Sequence, residues 1–213
     1  MTDTRLGGAA IIAAAIAGIL VMAVHPTSHE LFAPGKFATV AMLGEAVHIL
    51  AILSNPVAFL GALALARYLD SPNRLAMSAL SIYGLALVAV TIAATLSGLV
   101  AIPIMQKLVD QPQSSPQLEM VAQYTGLLNQ AFAKIYALLA SIAIGVWSIP
   151  IVRTRKLPLA AGIYGLVIAP VIFVGVVSGS LRLDVHGMGA IVLLQGIWFI
   201  TVGATLYRTS RTA

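Results

Sequence analysis

The chain carries four histidines, His25, His29, His48 and His186, and no cysteine. Without cysteine, disulfides, iron–sulfur clusters, covalent c-type haem and thiolate metal sites are excluded. Any metal must be held by imidazole, carboxylate or backbone oxygen. Neutral imidazole and carboxylate together suit Zn, Fe, Cu and Ni alike. Glu45 and His48 form the stretch "EAVH". At i, i+3 on a helix their side chains project to nearly one face. Glu-x-x-His is also the pairing that carboxylate-bridged metal sites in helical bundles use. Asp184 and His186 stand close together in "LRLDVHG".

His25 and His29 belong to "HPTSHE". Pro26 lacks an N–H and disfavours helix at the residue before it, so a helix is expected to end or kink at His25. "TSHE" then matches a capping box, with Thr27 and Glu30 satisfying each other's backbone N–H groups. That reading makes Glu30 structural and His29 the weaker ligand. The spacing therefore predicts a divalent transition-metal site (Zn, Fe or Cu) built by His25, Glu45, His48 and His186. Asp184 and His29 are additions or hydrogen-bonding partners to it. In an enzyme such a metal would activate water or oxygen, with an unused carboxylate as general base, on a lipid or other apolar substrate.

Three alternatives use the same residues. Two imidazoles at equal depth would serve b-type haem, with His25, His48 and His186 as axial candidates. A carrier would bind a cation or relay protons there, and intramembrane Pro150 and Pro170 fit interrupted helices of that kind. A structural subunit, in a homo-oligomer or a larger membrane complex, would merely hydrogen-bond its histidines.

The elements that must position these groups follow from composition. The chain is 60% hydrophobic and 9% charged, with a mean hydropathy of +0.99. A soluble domain carries about a quarter charged residues, so this chain's solvent is mostly lipid. Lipid-exposed backbone must bond internally, as helices or closed barrels. The long unbroken apolar runs lack the alternation of barrel strands. The predicted fold is all-α: one domain over residues 1–213, a polytopic bundle of six transmembrane helices with short loops. Spans of about 20 residues are expected near 7–25, 44–66, 75–104, 128–152, 157–181 and 187–207. The first run has signal-like features, including Val21-Met22-Ala23 as a cleavable stretch, but its length favours a retained helix.

Lys and Arg set the orientation. Arg5, Arg67, Arg74, Arg153, Arg155, Lys156, Arg208 and Arg211 fall on one side; Lys36, Lys107, Lys134 and Arg182 fall on the other. This predicts a cytoplasmic (inner) membrane protein with both termini in the cytoplasm. All four histidines then lie toward the extracytoplasmic face. The net charge of +5 is explained by topology, so no nucleic-acid partner is expected. The expected partners are the lipid bilayer and a small apolar ligand. Lys134 is read as snorkelling or pairing with Glu45, Gln195 as bonding to a neighbouring helix, and Trp147 and Trp198 as packing residues. The small residues of the first helix are read as a packing face. "IYGL" at Ile82 and Ile163, each followed later by "SG", hints at a duplicated hairpin. No phosphate loop, dinucleotide fingerprint, HExxH or G-x-S-x-G is present.

Overall fold

A computed structural model describes residues 3–26, 35–69, 74–110 and 116–209. It is all-α among these residues, with six helices long and apolar enough to span a membrane. They are α1 (Asp3–Ala23), α2 (Phe37–Leu69), α3 (Leu75–Asp110), α4 (Pro116–Thr154), α5 (Leu159–Val177) and α6 (Val185–Thr209). The protein is therefore an integral membrane protein with a six-helix bundle.

Each helix packs on the next in sequence, and α1 closes the ring between α2 and α6. Small residues allow this closure. A Cβ on Gly8 of α1 would fall 2.6 Å from the Gly203 carbonyl and 2.7 Å from the Tyr207 amide of α6. Only glycine lets the two backbones approach so closely, as is common where lipid-embedded helices associate. The same end is tied by Arg5, whose guanidinium lies over the Tyr207 ring at 4.7 Å and donates to its hydroxyl at 2.9 Å. The N-terminal end of α1 and the C-terminal end of α6 thus lie together. We call this the terminal face.

The helices run longer than the apolar runs predict at several ends. At a rise of about 1.5 Å per residue, the 39 residues of α4 extend about 58 Å, against about 30 Å of hydrocarbon. Hydropathy reports where lipid stops, not where the helix stops. Pro116 opens α4 because a proline at the first helical position forfeits no hydrogen bond. α2, α3 and α4 form one tall arc of the ring; α1, α5 and α6 are shorter, with 21, 19 and 25 residues. α1 ends at Ala23, two residues before His25. The expected capping box at Thr27 and Glu30 lies outside the described residues. α4 and α5 run unbroken through Pro150 and Pro170.

The core is aromatic. Trp147 and Trp198 are fully buried and stack with ring centroids 6.0 Å apart. Tyr83 meets Trp147 edge-on at 5.5 Å, and Phe199 meets Trp198 edge-on at 5.1 Å. Each indole N–H donates to a carbonyl near the start of another helix: Trp147 to Ala76 and Trp198 to Ala161, both at 3.0 Å. Gln195 bonds across helices as expected. It accepts from the Tyr136 hydroxyl at 3.1 Å and donates to Ser141 at 3.3 Å.

The two "SG" words have different structures. Ser178 caps the end of α5 and Gly179 turns with φ 74°. Ser97 and Gly98 instead lie inside α3, within a π-helical segment from Thr95 to Val100.

Candidate functional site

His25 follows the end of α1, where the short helix stops beside the taller α2 and α3. His48 lies 21 residues before the Leu69 end of α2, about 32 Å along the helix axis. Both therefore sit near the edge of the hydrocarbon that is remote from the terminal face. Their rings meet edge-on, with centroids 4.9 Å apart. His48 is buried, at 7% exposure, and His25 is half-buried.

The hydrogen bonds fix the tautomers. The Nδ1–H of His25 donates to the Pro26 carbonyl at 2.9 Å, and the Nδ1–H of His48 donates to the Gly44 carbonyl at 2.6 Å. A carbonyl only accepts, so each neutral ring keeps its proton on Nδ1 and leaves Nε2 as a bare lone pair. The two Nε2 atoms face each other at 3.3 Å. Two lone pairs at that distance repel unless a cation or a proton lies between them. Backbone carbonyls anchoring Nδ1 are the arrangement that metal-bound histidines adopt. Burial pushes the His25 imidazole below its ordinary value, and the Pro26 carbonyl pulls it partly back. The ring thus stays neutral at neutral pH, as ligation requires.

α3 shapes the pocket around His48. Its π-helical segment carries one residue more per turn than an α-helix, a distortion frequent at functional sites. The Ala101 N–H bonds to the Leu96 carbonyl, five residues back. This brings Gly98 against His48. A Cβ on Gly98 would collide with Cβ and Cγ of His48. Gly98→Ala is therefore expected to push the imidazole out of place. The bundle should survive with a loss of about 1–3 kcal/mol from overpacking, read by thermal unfolding in detergent. If the pair holds a metal, its affinity should fall at least about ten-fold, read by titration.

The other predicted ligands lie apart from this pair. Glu45 is exposed on α2 while His48 is buried. Three residues turn a helix by about 300°, and the remaining divergence is enough to put one side chain in and the other out. His186 is exposed in the first turn of α6. Asp184 lines the adjoining cavity but is exposed, and accepts from the Gly187 N–H at 2.9 Å as a helix cap. His29 lies outside the described residues. Lys134 is exposed on α4. Among the described residues no three His, Asp or Glu side chains converge as a metal-binding group. The structure thus brings two of the predicted residues together, His25 with His48.

A cavity of about 500 Å³ opens beneath the pair, between α1, α2, α3, α4 and α6. Its wall on α2 follows the helical stripe Gly44, His48, Ala51, Asn55 and Ala58. On α1 the small residues divide into two groups. Gly7 and Gly8 pack against α2 and α6, whereas Ala14, Ala15 and Gly18 line the cavity. The packing face read from sequence is thus half of the story. Pro150 and Pro170 do not line this space. Tyr83, Asn55 and Gln195 line it too. Composition alone marked none of them except Gln195; an asparagine at i+7 from His48 was the available signal.

No protein-family model matches the chain, and no curated protein or solved structure is significantly similar to it.

Proposed function

We propose that His25 and His48 hold a divalent transition-metal ion at the head of an intramembrane cavity, in a cytoplasmic-membrane protein whose termini both face the cytoplasm. The observation that carries this reading is the pair of opposed Nε2 lone pairs, each ring anchored through Nδ1. Metal–nitrogen bonds of about 2.0–2.1 Å drawn to two nitrogens 3.3 Å apart meet at about 105–110°. That is the angle of neighbouring ligands on a tetrahedral ion. Axial haem ligands lie opposite one another and need about 4 Å between nitrogens, twice that bond length, so the separation favours a non-haem ion.

Two histidines leave coordination positions for water, a substrate or another side chain. Along the chain, His29 and Glu30 follow His25 by four and five residues, and Glu45 precedes His48 by three. Open positions are the mark of a catalytic rather than a structural ion, and the cavity supplies an apolar chamber beside them. In hydrolytic or oxygen chemistry, Asp184 is the carboxylate at the cavity wall suited to general base. The test is elemental analysis together with an absorption spectrum on protein purified in mild detergent. One equivalent of Zn, Fe or Cu without a Soret band is expected. A Soret band would replace the non-haem ion with haem. Metal-free protein that stays metal-free after incubation with each ion would leave a shared proton between the rings as the reading.

A further inference from the structure

We propose that the cavity takes an uncharged, lipid-soluble molecule carrying a carbonyl or hydroxyl oxygen, and that the Tyr83 hydroxyl holds this oxygen inside the membrane. The proposal deepens the reading above and rests on it for the apolar occupant, not for the metal.

The volume of about 500 Å³ falls in the range of about 300–1,000 Å³ typical of small-molecule sites. Small side chains from two helices keep the space open. Gly18 shows the point: a Cβ there would make only an ordinary contact, with Val192 at 3.6 Å. Packing alone does not require glycine at that position.

Tyr83 supplies the chemistry. It is 6% exposed and lines the cavity. The other polar groups of the core are satisfied. Ser141 and Ser148 donate to carbonyls one turn back, Gln195 bonds to Tyr136 and Ser141, and both indoles reach carbonyls. The Tyr83 hydroxyl has no such partner among the described residues. A buried hydroxyl without a hydrogen bond costs free energy, and one facing an open chamber can recover it from a ligand. Asn55 adds to this. Its amide gives one N–H to Thr91 at 2.8 Å, which leaves a second N–H and its carbonyl oxygen.

Charge selects the ligand class. Among the described residues no Lys or Arg lines the cavity, and the one acid that does is Asp184 at the helix cap. Apart from any ion held by His25 and His48, a carboxylate or phosphate would meet no counter-ion among the described lining residues, and an ammonium group deep inside would meet none either. An ion unpaired in such surroundings is strongly disfavoured. A neutral ketone or alcohol with an aliphatic body meets no such penalty.

The experiment uses the full chain, freed of metal with a chelator, in lipid nanodiscs, with radiolabelled 2-dodecanone, dodecanoate and dodecylamine as probes and empty discs subtracted. The ketone is expected to bind saturably at one site per chain, and the two ions weakly or not at all. Tyr83→Phe should weaken the ketone about five-fold, the effect of one neutral hydrogen bond. Gly18→Phe, which fills the chamber, should abolish binding while thermal unfolding confirms a folded bundle. If Gly18→Phe is unfolded, Ala51→Leu makes the same test from α2. Binding of dodecanoate as tightly as the ketone would overturn the proposal, as would undiminished binding in a folded, cavity-filled variant. Wild-type protein that binds metal yet takes up no probe would also overturn it while leaving the histidine site standing.

Discussion

His48→Ala is expected to empty the proposed metal site, taking bound metal from one equivalent to none after gel filtration. Removing one of two protein ligands deprives the ion of half its anchorage. Changes to groups that merely orient a ligand already cost about 10–100-fold in affinity, so loss of a ligand should cost at least about 100-fold. His25→Ala should do the same. Glu45→Gln is the informative partner to these variants. Because Glu45 is exposed, its replacement should leave metal content unchanged. Loss of metal in Glu45→Gln would reinstate the carboxylate-bridged site expected from the i, i+3 spacing. Full retention in His48→Ala would remove the histidine pair from consideration.

Trp147→Ala is expected to be the most destabilising single substitution in the core, by about 3 kcal/mol. That is the lower end of the range of about 3–5 kcal/mol for such truncations in soluble cores. The lower end applies because helix association in lipid draws on packing rather than on release of water. Trp147 is fully buried, stacks on Trp198, meets Tyr83 edge-on and donates to the Ala76 carbonyl. Its loss removes all of these and leaves a void between α3 and α4. Trp147→Phe separates the contributions. It keeps a ring and loses the N–H, and should cost about 1 kcal/mol. Circular dichroism during titration with SDS would read both values. Equal effects for the two variants would mean that the hydrogen bond, not the ring, holds α3 to α4.

The spans were legible because hydropathy and charge act over whole helices. Each of the six predicted apolar runs lies within one helix or overlaps most of it. The helix ends were less legible. The polar first turns of α4 and the start of α2 at Phe37 lie outside the apolar runs, so nothing in those runs marks them. The site divides along the same line. That α1 adjoins both α2 and α6 follows from a ring closed by helices in sequence order. That His48 turns inward while Glu45 turns outward depends on the rotation of α2 about its axis. No i, i+3 rule sets that rotation; it depends on tertiary packing, in which Gly44 lies close to Pro26 and Ile102. The free hydroxyl of Tyr83 was not legible either, because an unmet hydrogen bond is a property of neighbours rather than of the residue.

The π-helical segment of α3 makes chain length matter more there than residue type. A helix is a screw, and one residue is about 100° of its thread. Deleting a single residue between 95 and 100 would restore an ordinary α-helix and rewind everything beyond it. Ile102, which meets Gly44, and Met105, which faces the cavity, would swing toward other neighbours without either being altered. The upper third of α3 is thus indexed to the histidine pair by counting. Related chains that keep the pair should tolerate changed letters in this stretch far better than a missing one.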